Sequence, residues 1–159
     1  MRLVFSKSGG KLTIDETYSI SASIPMLRIK TGTRGRFNIA HTIPGGYAYD
    51  PTPFPNGEWQ VTGYHRRDDK YVSPYFIETN ATQKVKVWAT TRLEDGKEMY
   101  DKETSREVTD GGYGIHFSPY PTTQGCIKIE DKSEATRLVS DFIAPALKRH
   151  EVISLIVED

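Results

Sequence analysis

Two residues carry the reactive chemistry of this chain. Its one cysteine, Cys126, follows a histidine, His116, by ten positions within GYGIHFSPYPTTQGCIKI, residues 112–129. A thiol attacks carbonyl carbon as the thiolate, and a neighbouring imidazole lowers its pKa by forming an ion pair. The glycine before the cysteine, Gly125, lets the backbone bend sharply. The N–H groups of Gln124, Gly125 and Cys126 can then converge on one point, as an oxyanion hole requires. Thr123 opens that turn. The imidazole needs a third group to orient it, and the carbonyl of Phe117 is the candidate. Tyr113, Phe117 and Tyr120 flank the pair, either as the walls of a peptide groove or as strand and loop packing.

Each residue also has an inert reading. A free cysteine ordinarily behaves as a small buried hydrophobe, and a histidine among apolar neighbours ordinarily sits in a core. The pairing is what favours chemistry. The two prolines of FSPYPTTQG can turn the chain back, so that adjacent strands carry histidine and cysteine side by side. The other histidines lack that context: His41 and His65 read as surface or structural residues, and His150 falls at the end of a helix. HRRDD, residues 65–69, reads as a solvated turn in which Arg66 or Arg67 is available to a substrate carboxylate. One cysteine excludes an internal disulfide and a multi-cysteine metal site. No cofactor and no metal are expected.

The elements that must position the pair are mostly strands. Tyr, Phe and Trp number 9, 6 and 2, punctuated by 13 Gly and 9 Pro, a composition suited to pleated, half-buried surfaces. MRLVF and KLTID read as a hairpin across SKSGG, and YSISASI as a third strand. EWQVTGYH, PYFIET, KVKVWATT and YGIHF follow. Residues 30–57 are rich in Gly and Pro without sustained period and read as a long loop, a candidate lid. Residues 92–107, with ten charges in sixteen positions, read as a solvated hairpin or loop. From Lys132 the period changes. Ala135, Leu138, Val139, Phe142, Ile143 and Leu147 recur at helical spacing, with Ser133 as the expected N-cap and Pro145 as a kink or break. EVISLIVE is apolar enough for a central strand, and Trp59 and Trp88 read as core. The expectation is a mainly β, β-rich α+β single domain over residues 1–159 with one C-terminal helix.

Basic and acidic residues balance at 21 each, which gives no support for a nucleic acid or an anionic membrane as partner. Hydrophobic residues make up 36% and charged residues 26%, the proportions of a soluble globular chain. No stretch approaches the roughly 18 apolar residues of a membrane span. The apolar run Leu3 to Phe5 is far shorter than a signal-peptide core, so synthesis in the cytoplasm is expected.

IH…TQGCIKI resembles the catalytic motif of the L,D-transpeptidase (YkuD-type) family, in which a histidine precedes a Ser/Thr-His-Gly-Cys-Ile-Arg run. His116, Thr123, Gly125, Cys126 and Ile127 hold the matching positions, and PFPNGEWQV, residues 53–61, is similar to that family's strand opening. The resemblance covers roughly residues 55–159. Gln124 stands where the family has a second histidine, Lys128 where it has arginine and Phe117 where it has glycine, and the His-to-Cys gap is shorter. The resemblance implies a β-sandwich with a C-terminal helix and a cysteine acyl-transfer enzyme acting on peptidoglycan stem tetrapeptides, by L,D-carboxypeptidase action, transpeptidation or D-amino acid exchange. Small size, a short gap and no leader are similar to L,D-transpeptidase-like effectors of type VI secretion, which act in a rival's periplasm or cell wall. That implies a periplasmic immunity protein as a second partner. The alternatives are a phage-encoded cell-wall enzyme and a non-catalytic β-rich module that binds peptidoglycan or protein.

Overall fold

Alternation of apolar and polar residues along short strands decides the architecture. A computed structural model describes residues 1–26, 47–49, 52–92, 98–123 and 125–159. The strands are β1 Arg2–Ser6, β2 Lys11–Ile14, β3 Tyr18–Ser23, β4 Tyr47–Tyr49, β5 Gly57–Arg66, β6 Tyr75–Thr79, β7 Gln83–Arg92, β8 Glu98–Asp110, β9 Gly114–Phe117, β10 Ile127–Ile129 and β11 Ser154–Glu158. Eight of them close into a barrel in the order β1-β11-β5-β6-β9-β10-β3-β2, and β4-β7-β8 form a separate three-stranded sheet. The mainly β class with one C-terminal helical region is as expected. The strands, however, close on themselves where the resemblance pointed to a sandwich, and closure leaves those eight strands without an open edge.

Every second residue of the barrel strands points inward. Leu3 and Phe5, Leu12 and Ile14, Ile20 and Ala22, Val61, Ile77, Ile115, Ile127 and Ile129, and Leu155 and Val157 fill the core. Full burial of each large aliphatic side chain stabilises by about 1.5–3 kcal/mol. β11 is central, as its apolar run predicts: it pairs parallel with β1 and antiparallel with β5.

The helical region runs from Lys132 to Lys148 in three pieces: α1 Lys132–Arg137, a π-helical turn Leu138–Ile143, and α2 Ala144–Lys148. Its N-cap is Asp131, whose carboxylate accepts from the Glu134 N–H at 3.0 Å. Ser133, the expected cap, lies inside the first turn and donates its hydroxyl to Asp131. Pro145 neither breaks nor ends the helix. It has no N–H to give and its ring crowds the carbonyl four residues back. The wider π turn lies immediately before α2, which carries the proline in its first turn. Ala135, Leu138, Val139, Ile143 and Ala146 bury against the barrel core, with Phe142 and Leu147 partly buried beside them.

One segment read as a loop contains a strand, and the segment read as a hairpin or loop belongs to a hairpin. Tyr47–Tyr49 pairs with β7 inside the segment 30–57, most of which lies outside the described residues, as does His41. The charged segment from Glu98 is the long strand β8, paired with β7 in a hairpin. Charge does not preclude a strand whose partner supplies its backbone bonds. Among the described residues no helix is long and apolar enough to cross a membrane.

Candidate active site

The period-2 rule that puts Ile77, Ile115 and Ile127 in the core puts their neighbours outside. These three isoleucines face one another across β6, β9 and β10. Phe76 and Glu78, Gly114 and His116, and Cys126 and Lys128 therefore share the outer face. Cys126 stands beside Gly114 and His116 beside Lys128, so thiol and imidazole are diagonal neighbours on one surface. Both line a cleft of ≈ 910 Å³ with Thr62, His65, Arg67, Tyr71, Glu78 and Tyr120 among its other walls.

His116 is well held. Its Nδ1 lies 3.1 Å from the Phe117 carbonyl oxygen, so Nδ1–H donates there and Nε2 keeps its lone pair. The same carbonyl accepts the Ser73 N–H at 3.1 Å. The ring stacks on Phe76 with centroids 5.7 Å apart. Burial is the chief cause of a pKa below the ordinary histidine value; the Phe117 hydrogen bond pulls the other way, and the charges of Arg67 and Lys128 add to the depression. The imidazole is therefore neutral near pH 7.

The thiol is held differently. Its sulfur accepts the Gly114 N–H at 3.4 Å. The residue keeps partial exposure on the cleft, yet the protein packed around it pushes the thiol up to about 11 by burial; the Gly114 hydrogen bond and the charge of Arg67 offset part of the rise. Among the described residues no hydrogen bond joins the imidazole to the thiol. The expectation of a thiol pKa depressed by its histidine is thus corrected: near pH 7 both groups are neutral.

The turn before the cysteine is closed by Thr123. Its hydroxyl donates to the Cys126 carbonyl at 3.0 Å and accepts the Gly125 N–H at 3.3 Å. That N–H is thus engaged inside the turn and is not aimed at an incoming oxyanion. Gln124 lies outside the described residues. Gly125 has φ +129, and a Cβ there would meet the Thr52 carbonyl oxygen at 2.4 Å, so only glycine suits the position. Its carbonyl accepts the Phe54 N–H at 2.9 Å.

Tyr113 and Tyr120 separate in role. Tyr113 is buried, and its hydroxyl belongs to a network behind the cleft: it donates to Asp110 at 3.1 Å, accepts from Gln83 Nε2 at 2.7 Å and meets Thr52 Oγ1 at 3.1 Å. Burial pushes Tyr113 up to about 12. It braces the floor and has no hydroxyl to offer a ligand. Tyr120 is exposed at the mouth, edge-on to Tyr71 at 5.4 Å. Phe117 packs partly buried against the core and serves through its carbonyl.

His65 is not in a loop: it ends β5 with Arg66, and its Nδ1 lies 3.1 Å from Glu78 Oε1 at the cleft wall. His150 follows α2 with φ +57. Trp59 is partly buried, with its indole N–H on the Pro55 carbonyl, and the Trp88 side chain lies outside what is described. Sequence reasoning missed Gly114, Thr52 and Gln83. The signal for Gly114 was its place two residues before His116, which obliges both to share a face. Among the described residues no cluster of three or more His, Cys, Asp or Glu side chains is arranged to hold a metal. No family model, curated protein or solved structure matches the chain.

Proposed function

We propose that the protein is a cysteine acyl-transfer enzyme acting on peptidoglycan stem tetrapeptides, with Cys126 as nucleophile and His116 as base. One observation carries the reading: a lone cysteine and a carbonyl-anchored neutral histidine share one face of the sheet at the floor of an open cleft. A thiol and an imidazole that are both neutral suit general-base activation, in which the proton moves as the bond forms.

In this mechanism the thiol proton passes to Nε2 of His116, directly or through one water. The sulfur bonds to the carbonyl carbon of the third stem residue, and the carbonyl π pair becomes an oxyanion. Collapse of that intermediate breaks the C–N bond. The departing D-alanine amine takes the proton from His116 and leaves a thioester on Cys126. Water or a D-amino acid amine then attacks the thioester, its proton goes to His116, and the thiolate departs and is reprotonated. The Gly114 N–H, already aimed at the sulfur, stabilises that departing thiolate.

The elevated thiol pKa favours a second reading, a non-catalytic module that grips peptidoglycan or protein in the cleft. Incubation with purified tetrapeptide muropeptide, with and without D-methionine, separates the two. Tripeptide marks hydrolysis and a D-methionine product marks exchange, and both vanish in Cys126→Ser. Unchanged muropeptide with folded protein rejects the enzyme reading. Delivery as an antibacterial effector is part of this proposal. It predicts that expression targeted to the periplasm is toxic and that a neighbouring immunity protein relieves the toxicity.

A further inference from the structure

The cleft holds a cation that the acyl-transfer chemistry does not use. Arg67 lines the same cleft as His116 and Cys126. Its Nε donates to Asp69 Oδ2 at 2.7 Å. Asp69 is itself fixed, because Oδ1 accepts the N–H groups of Tyr71 and Val72 at 2.8 and 2.9 Å. Those bonds, with Arg67 first among them, hold its carboxyl at about 2. The carboxylate thus accepts from three donors, and it grips Arg67 by Nε alone. Among the described residues this is the only ion pair Arg67 makes, and Nη1 and Nη2 remain for a ligand. An arginine held by its inner nitrogen presents a planar two-nitrogen fork of the shape that binds a carboxylate through two parallel hydrogen bonds.

The other charges around the cleft have different engagements. Glu78 is paired with His65. Asp68 accepts the Ser73 hydroxyl at 2.7 Å. The Lys70 ammonium sits over the Tyr71 ring, 4.9 Å from its centre. Lys128 is on β10, beside His116. The charge of Arg67 acts on both Cys126 and His116, and all three line the one cleft.

We propose that Arg67 is the anchor for the free C-terminal carboxylate of the substrate, which makes the protein selective for the last peptide bond of a stem over internal bonds. This inference rests on the acyl-transfer reading for the bond that is cut, but the anion site itself does not. In a tetrapeptide stem the leaving D-alanine carries that carboxylate one residue beyond the scissile carbonyl. Carboxylate capture seats the bond over Cys126, and a stem extended or capped at its C-terminus loses the contact.

The test compares an N-acetylated tetrapeptide stem ending in D-alanine with the same peptide ending in a carboxamide, on the full chain. The wild-type protein is expected to prefer the acid by about 10- to 100-fold in kcat/KM, mostly through KM, the range of a charge-assisted pair. In Arg67→Gln that ratio collapses toward one, and Arg67→Lys, which keeps the charge but not the fork, recovers part of it. A change in the electric field at Cys126 would move acid and amide together, so the ratio isolates the anchor. Equal wild-type turnover of acid and amide overturns the proposal and leaves the acyl-transfer reading intact. If neither peptide turns over, calorimetric binding to the Cys126→Ala protein decides. Arg67-dependent preference for the acid keeps the anion site while the enzyme reading falls, and absence of that preference overturns the site.

Discussion

His116 donates through Nδ1 to a backbone carbonyl and keeps Nε2 for a proton, while Cys126 rests against the Gly114 N–H. Replacing His116 with Gln keeps a polar side chain of similar size but removes the base. Stem-peptide turnover is expected to fall by about 10²–10⁴-fold with the thermal midpoint little changed, as read by chromatography of products and by calorimetry. The thiol gives a second test. Its pKa is raised from 9.0 to about 11, chiefly by burial. Iodoacetamide should therefore modify the folded protein slowly at pH 7, with the rate rising tenfold per pH unit until about 11. A plateau near pH 8 would show a preformed thiolate instead. The sign for stability follows: the unfolded chain sheds this proton first, so the contribution is whole below pH 9 and is lost as pH rises toward 11. The sequence made the Cys–His pairing legible because both residues sit in recognisable strand contexts. It did not reveal the thiol's pKa, because burial of the thiol depends on residues distant in the chain.

The hairpins, the terminal strand and the helix were readable because turn chemistry and apolar period are local signals. β4 was hidden by the glycines and prolines around it, and the charges of residues 92–107 left hairpin and loop both open. The π turn was hidden because nothing local distinguishes it from a kink at Pro145. Strand alternation is also what makes Gly114 matter. A Cβ at this position would lie 2.3 Å from the Phe76 ring and 2.6 Å from the Ile77 carbonyl oxygen. The ring can shift, but the carbonyl belongs to the β6 ladder and cannot. Gly114→Ala is expected to cost about 1–3 kcal/mol or more and to displace the N–H from the Cys126 sulfur. Denaturant melts should show the loss, and nitrogen-15 spectra should show the shift at residue 114. An unchanged midpoint would mean that β6 and β9 are more loosely joined than their pairing implies.

At the scale of the whole molecule, composition and late helix gave the class, but barrel closure was not legible. Closure joins β1 to β11, and no local pattern declares that the first strand pairs with the last. Leu155 sits fully buried at that seam. Leu155→Ala is expected to destabilise by about 2–5 kcal/mol, and urea unfolding followed by far-ultraviolet dichroism reads it. The cleft lies on the opposite flank, across β6, β9 and β10, so the variant at low urea should retain the resting thiol's slow alkylation. The parallel pairing of Arg2–Ser6 with Ser154–Glu158 has a kinetic meaning as well. Loop-closure entropy for contacts this remote in sequence is met before the contacts repay it. Until β11 is in place, β1 and β5 are unzipped along one side, with their hydrogen-bonding groups bare. Pairing of β1 with β11 is thus a late step, one that a holding chaperone would protect from strand-to-strand association between neighbouring chains.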